Sequence, residues 1–465
     1  MSTPSHPTAD DSPPAGISAR WQRSWYFYDW ANSAYVTTTA TVLFGPYLTV
    51  VAKRAACPGQ ASDLDCPTSL HVLGIPVAPG SIALYAVTAS TLISAVLLPL
   101  LGALIDRSGG KRRLLGAFAW AGALAASAMV LVSGSNWQLG ILLIMLANLA
   151  LGCSLVIYDS ILIDIAGPDE RDAVSTRGWG LGYLGGGLLL AANLGLVSAH
   201  TALGLSTEAA VRVSLLSAGV WWGLFTVIPY RGLKGLPQAR PPTSSGPQRG
   251  LLAQSVTQLG ATLTDLRRYP QTLTFLLAYL FYNDGIQTVI SAASIFGQEQ
   301  LKLSSGQLIL TILVVQFVGF GGSVLFGRVA ARFGAWRTVL ASLVLWCLVV
   351  GLGYLVPERQ FVAFLALGVL IGLVLGGSQA LSRSLYSQLV PRGREAEYFS
   401  LYQAAERGTS WFGTLLFGVV FQVTGSYRNA IVALVVFFVV GGVLLSRVDV
   451  RQGILAAGND VPAVV

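Results

Sequence analysis

Twelve apolar runs leave this 465-residue chain few ways to fold. They lie at about residues 24–52, 81–104, 114–133, 137–165, 176–199 and 209–229, and again at 271–296, 304–330, 336–356, 360–389, 398–423 and 427–446. A helix rises 1.5 Å per residue, so roughly 20 apolar residues cross the hydrocarbon core of a bilayer, and each run is that long or longer. Charged residues make up 11% of the sequence, against about 25% in soluble domains. The expectation is an all-α polytopic membrane protein with twelve transmembrane helices in two sets of six.

The segments outside the runs divide the chain further. Residues 1–20 are rich in Pro, Ser, Thr and Asp and read as a disordered tail, without the basic segment and apolar core of a signal peptide. Residues 21–230 then form a first six-helix bundle, 231–270 a cytoplasmic linker, 271–447 a second bundle and 448–465 a C-terminal tail. Within the linker, Gly235 to Gly250 is dense in Pro, Ser, Gln and Gly. Leu251 to Leu266 fits either an amphipathic helix on the inner leaflet or a partly ordered connector.

The net charge of +8 is spread over short loops and makes no single basic face, which argues against nucleic acid as a partner. Fourteen basic residues, among them Arg23, Lys111, Arg231, Arg332 and Arg394, fall on one side of the spans, and six fall on the other. The positive-inside bias puts the richer side, and with it both termini, in the cytoplasm.

Enzymatic and metal chemistry find little support. There is no H-E-x-x-H, no paired C-x-x-C, no phosphate-binding G-x-x-x-x-G-K-[ST] and no G-x-S-x-G. No cofactor is expected. Cys153 and Cys347 lie in apolar runs, where they pack, whereas Cys57 and Cys66 share a polar loop in which a disulfide or two free thiols fit equally.

Polar side chains inside the apolar runs are the unusual feature. Asp29 and Asn32 lie one turn apart in the first run, where a carboxylate costs roughly 2.5–3.5 kcal/mol on insertion scales. The seventh run repeats the theme with Tyr282, Asn283, Asp284 and Gln287. In the fourth, Asn148, Gly152, Leu155 and Asp159 share one stripe with Tyr158 beside it, and in the tenth Gln379, Arg383 and Tyr386 align. The loop after the second run, Gly102-Ala103-Leu104-Ile105-Asp106-Arg107-Ser108-Gly109, matches Gly327-Arg328-Val329-Ala330-Ala331-Arg332-Phe333-Gly334 after the eighth, with Ala331 standing where the first copy has Asp106. A repeat of a six-helix half marks a transporter whose halves rock about a shared central site.

The Gly102–Gly109 segment, followed by Lys111, Arg112 and Arg113, resembles the loop signature of the major facilitator superfamily. Four further motifs narrow the likeness: Tyr28-Asp29-Trp30-Ala31-Asn32-Ser33-Ala34, Ser175 to Gly187, Tyr282-Asn283-Asp284-Gly285-Ile286-Gln287-Thr288, and Gly376 to Ser384 with Glu395-Ala396-Glu397-Tyr398-Phe399 beyond it. Together, from about Arg20 to Arg447, they resemble the autophagy-related vacuolar amino-acid effluxer family and its bacterial branch of major facilitators. The resemblance implies a central cavity lined by the first, fourth, seventh and tenth helices, and a bacterial-type cell membrane as the location. It also implies an inner latch made by Asp106, Arg107 and Arg112.

On this reading Tyr28, Asn32, Asn148, Tyr158, Asp159, Tyr282, Asn283, Gln287, Gln379 and Arg383 are the cavity candidates. Asp284 leads for proton coupling and Asp29 follows; alternatively, each pairs with a fixed Arg or a helix end. Arg383 needs a buried anion, which Asp29, Asp159 or Asp164 supplies across the halves as a gate, or a substrate carboxylate supplies instead. Arg177, Glu397 and Glu406 complete the gate or latch set. The function expected is secondary active transport of a small solute, an amino acid or related metabolite, by alternating access with proton-coupled efflux. A lipid or drug exporter of the same fold and a non-transporting membrane sensor are the alternatives. The partners are then a small-molecule substrate, protons and the lipid bilayer, with the protein acting as a monomer.

Overall fold

The computed structural model describes residues 15–59, 66–72, 74–108, 110–236, 260, 264–408 and 411–465. The first run comprises α1 (Ala15–Ala34), a π-helical stretch (Tyr35–Leu43) and α2 (Phe44–Ala56). A short hairpin of β1 (Leu70–Val72) and β2 (Ile75–Val77) follows, then α3 (Ile82–Ser108), α4 (Lys111–Ala128), α5 (Trp137–Ile165), α6 (Arg171–Ser198) and α7 (Thr207–Gly232). The second half contains α8 (Pro270–Ile295), α9 (Ser305–Phe333), α10 (Ala335–Leu355), α11 (Phe361–Gln388), α12 (Glu395–Gly408), α13 (Trp411–Thr424), α14 (Tyr427–Ala433), α15 (Val435–Ser446) and α16 (Val450–Ala456). Ten of the described helical segments are long and apolar enough to cross a membrane. The other two runs are occupied by α8 and by the α12–α13 pair.

Several departures from the even pattern have local causes. Helix α1 begins at Ala15, inside the stretch expected as a tail, and its start is docked. The Ser18 hydroxyl and the Gln22 amide both donate to the carbonyl of Ile165, each at 2.9 Å. The π-helical stretch precedes Pro46, which has no N–H to give to the preceding turn and whose ring crowds the carbonyl four residues back, so a wider turn absorbs the misfit. Helix α16 falls in the stretch expected as the C-terminal tail, where the Asp449 carboxylate caps it by accepting the Gln452 N–H at 2.9 Å. Cys57 and Cys66 are joined in a disulfide, one of the two arrangements the sequence left open. The amphipathic helix expected at Leu251–Leu266 falls almost wholly outside the described residues.

Two crossings bring the halves of the chain together. Helix α12 lies on α3 and α5, and α6 lies on α9 and α11. The repeated glycine of the loop motif sits at each crossing. A Cβ on Gly102 would fall 2.6 Å from the Ala396 carbonyl oxygen, and one on its counterpart Gly327 would fall 2.5 Å from Thr176 Oγ1. Only a bare backbone allows helices to approach this closely. The start of α1 and the chain's last residues lie at one face, beside the loop joining α5 to α6.

Candidate functional site

Arg383, on α11, is only 2% exposed. A buried guanidinium must find anions and acceptors or forfeit several kcal/mol of hydration. Arg383 finds them all in the other half of the chain. Its Nη2 lies 3.3 Å from Asp29 Oδ2 on α1 and its Nη1 lies 3.2 Å from Asp159 Oδ1 on α5. Its Nε donates to Ser175 Oγ at 2.9 Å, and Nη2 donates to the Ser175 carbonyl at 3.1 Å. The Trp25 and Trp179 rings face the guanidinium at 4.8 and 5.5 Å, adding cation–π attraction. Tyr158 OH donates to Asp29 Oδ2 at 2.7 Å, while its ring stacks on Trp25 at 4.2 Å. Gly178 on α6 makes room for this arrangement, since a Cβ there would lie 2.8 Å from Asp29 Oδ2.

A cavity of ≈ 320 Å³ opens from this cluster away from the face that holds the start of α1 and residues 459–465. Of the expected residues, Asp29, Asn32, Asp159, Gln287, Gln379 and Arg383 line it, as does Glu406 from the gate set. Across its floor, the Gln403 amide donates to Asp159 Oδ2 at 2.8 Å and Tyr279 OH donates to Glu406 Oε2 at 3.1 Å. Gln316 Nε2 on α9 donates to Thr37 Oγ1 in the π-helical stretch at 2.6 Å, a second tie between the halves. The wall has three carboxylates (Asp29, Asp159, Glu406) and two guanidiniums (Arg383, Arg407). With all of them ionised it carries one excess negative charge (3 − 2), which a proton or a cationic group would offset.

The other candidates stand behind the wall. Tyr28 packs against Tyr158 with ring centres 5.0 Å apart. Asn148 accepts from Tyr35 OH at 2.9 Å, within the first half. Tyr282 is paired with Ser382 Oγ at 2.7 Å, and Asn283 Oδ1 accepts from Gln379 at 2.8 Å, so both brace α8 on α11. Asp284 is fully buried but is not among the cavity-lining residues. Its Oδ2 accepts the Gly413 N–H at 2.8 Å, so the carboxylate caps the first turn of α13. This is the helix-end pairing that the sequence held open beside a coupling role.

The latch differs in its members from the one the resemblance implies. Asp106 Oδ1 and Oδ2 accept the N–H groups of Ala396 at 3.0 Å and Glu397 at 2.9 Å, capping α12 from the other half. Glu397 also accepts from Arg394 Nε at 2.9 Å. Asp164 does not reach Arg383. It lies five residues beyond Asp159, about 140° around the helix at 100° per residue, and pairs with Lys111 Nζ at 2.8 Å. Lys111 also lies 3.9 Å from Glu395, so it takes the bridging place expected of Arg112. Arg112 instead donates to the Tyr230 carbonyl at 2.9 Å and stacks on that ring at 4.6 Å, inside its own half. Arg177 is exposed beside Tyr26, apart from the Arg383 cluster. The Arg107 side chain lies outside the described residues.

Trp179, Tyr183, Gln316, Tyr402, Gln403 and Arg407 also line the cavity, although the sequence reading did not assign them to it. Trp179, Tyr183 and Gln316 come from α6 and α9, whose polar positions are thin among glycines and alkyl side chains, whereas Tyr402, Gln403 and Arg407 come from α12, which is polar along much of its length. The one legible signal was the isolated Gln316 in an otherwise apolar run, together with the Gln403–Glu406–Arg407 cluster.

Comparison with known proteins agrees with this architecture. The sequence model of the family described as vacuole effluxer Atg22 like matches residues 18–458. The MFS-type transporter YxiO of Bacillus subtilis (strain 168) is 31% identical over 445 residues, covering 95% of this chain and 98% of that protein. Autophagy-related protein 22 of Pyricularia oryzae is 27% identical, covering 95% of this chain and 78% of that protein. Among solved structures, the E. coli fucose:proton symporter FucP superposes with a TM-score of 0.68 at 11% identity, covering 93% of this chain and 98% of that one. A bacterial homologue of the iron transporter ferroportin, in an outward-facing state, superposes with a TM-score of 0.64 at 13% identity over 93% of this chain and 98% of that one. At such identities the structural likeness speaks to fold alone.

Proposed function

We propose, because the chain belongs to the Atg22-like vacuole effluxer family of the major facilitator superfamily, that it moves a small solute through the Arg383 cavity by alternating access. The observation that carries the reading is that Arg383 reaches from the second half into three groups of the first, Asp29, Asp159 and Ser175. The start of α1, residues 459–465 and the latch share one face, and the bias of basic residues towards that face supports assigning it to the cytoplasmic side of a bacterial-type cell membrane. The geometry then corresponds to a transporter closed towards the cytoplasm, with the cavity facing outward. The solute class is an amino acid or related metabolite, whose ammonium would offset the excess negative charge of the wall.

Proton coupling falls to Asp29 and Asp159, which border the cavity and hold Arg383; Asp284, away from it, serves the helix end. A proton arriving on either carboxylate weakens its grip on Arg383, which would let the cytoplasmic side open. Efflux is the direction proposed, with proton entry driving it and a single chain as the working unit. Most of the cavity wall is apolar, as a lipid or drug exporter would also require; the five charged side chains and several amides among its lining residues favour a small polar solute.

The test is transport by purified protein in liposomes, using a panel of labelled amino acids with and without a pH gradient. Gradient-dependent movement that disappears in Asp159→Asn is the expected result. Movement of the solute at the same rate with the gradient collapsed would remove proton coupling; no movement of any amino acid would remove the solute class.

A further inference from the structure

Asp106 closes one crossing of the two halves by capping α12. Its counterpart in the second repeat, Ala331, has no acceptor with which to do the same for α6. That second crossing instead holds a cleft of ≈ 260 Å³, walled by Asp169 and Asp172 from the first half and by Gly327 and Ala331 from the second. Residues Pro462–Val465 complete its wall.

Contacts run along the whole of this segment. The Asn459 amide donates to the carbonyls of Gln388 and Val390, both at 2.8 Å, anchoring the segment to the end of α11. Asp460 meets Arg392 at 2.9 Å, an exposed pair that adds little. Val461 and Val465 pack on the apolar core of the second half. The Ala463 N–H then donates to Asp169 Oδ1 at 2.7 Å, which lies in the first half between α5 and α6. The Val465 backbone rests against Gly334, where φ is +87° and a Cβ would fall 2.5 Å from the Val465 carbonyl carbon.

The second crossing is tied directly by Arg171, which donates to Gln388 Oε1 at 3.0 Å, and by Gln388, which donates to the Pro168 carbonyl at 2.7 Å. We propose that Asn459–Val465 is a conformational strap that reinforces these ties where the second repeat has no counterpart of Asp106. Anchored on one half and bonded to the other, it holds this face closed, and the Asp169–Ala463 bond breaks when the halves part. The strap rests on the alternating-access reading given above.

Lys234→Cys and Arg332→Cys place exposed spin labels on opposite halves at this face of the full chain. Distances between them are read in liposomes before and after deletion of residues 459–465. The deletion raises the ratio of long to short distances roughly fivefold or more, the weight of about one net hydrogen bond. Asp169→Ala in the full chain moves the ratio the same way, and decides the matter alone if the deletion does not fold. Asp169→Asn keeps an oxygen acceptor and stays near the parent ratio. An unchanged ratio in Asp169→Ala, or Asp169→Asn behaving like Asp169→Ala, overturns the strap. Labels that exchange between two distances yet ignore these changes overturn the strap alone; labels that never exchange overturn alternating access with it.

Discussion

Arg383 and Asp159 come from opposite halves of the chain and meet at 3.2 Å, with side chains only 3% and 2% exposed. Neither would be tolerable in the interior without the other. In Arg383→Ala, two carboxylates lose their cation, and the conformer closed at this face loses roughly 3–5 kcal/mol, the usual penalty for breaking a buried pair. Arg383→Lys keeps the charge but cannot contact Asp29, Asp159 and Ser175 at once. Both variants are expected to lose most gradient-driven transport, with Arg383→Lys the milder; thermal unfolding in detergent and liposome flux measure the two effects.

The latch depends on one acid and one glycine. Asp106→Asn retains a single acceptor oxygen for the two N–H groups at the start of α12 and loses the charge that favours a helix N-terminus, a cost of about 1–2 kcal/mol. Gly102→Val pushes α3 away from the Ala396 carbonyl and costs more. Labelling of a cysteine introduced at Ser400, buried in the closed latch, should quicken in Gly102→Val and, to a lesser degree, in Asp106→Asn.

Asp284 and Asp159 should separate cleanly under a pH gradient. Asp284→Asn still offers an oxygen to the Gly413 N–H, so stability and gradient dependence are expected to survive, whereas Asp284→Leu loses the cap and melts earlier by the equivalent of about 1 kcal/mol. Asp159→Asn keeps its shape and removes the charge facing Arg383, so the flux should become indifferent to the gradient. Loss of gradient dependence in Asp284→Asn would return the coupling role to that residue.

Trp179 borders the cavity with an indole N–H that has no acceptor among the described residues. A solute oxygen would supply one. Trp179→Phe should raise KM roughly tenfold, about 1.4 kcal/mol of lost solute binding, with little change in melting temperature. An unchanged KM would mean that the solute sits elsewhere.

The disulfide offers a simple chemical check. Joining Cys57 to Cys66 closes a loop with a sequence separation of 9, worth roughly 2.5 kcal/mol in the chain-entropy account. Denatured, unreduced protein should bind maleimide at Cys153 and Cys347 only, as counted by mass, and Cys57→Ser should lower the melting temperature without altering solute selectivity.

Bilayer length and hydropathy alone made the polytopic helical class legible, because a membrane accepts few other backbones. The same logic flagged Asp29, Asp159 and Arg383, since each is costly in oil unless paired. Helix periodicity could place such residues on a stripe but could not say what faced the stripe. Asp284 looked as central as Asp29, yet its carboxylate accepts the Gly413 N–H of α13, 129 residues away in sequence. Lys111 displaced Arg112 in the latch because adjacent residues on a helix point about 100° apart, and only the packing of α4 decides which one meets Asp164. Trp179, Gln316 and Gln403 joined the cavity because α6, α9 and α12 cross at the seam of the two halves, with partners up to 279 residues apart in sequence. Local spacing carries no information over that separation, so the composition of the chain settled the solvent it folds in, and the crossing of its two halves settled which charges meet.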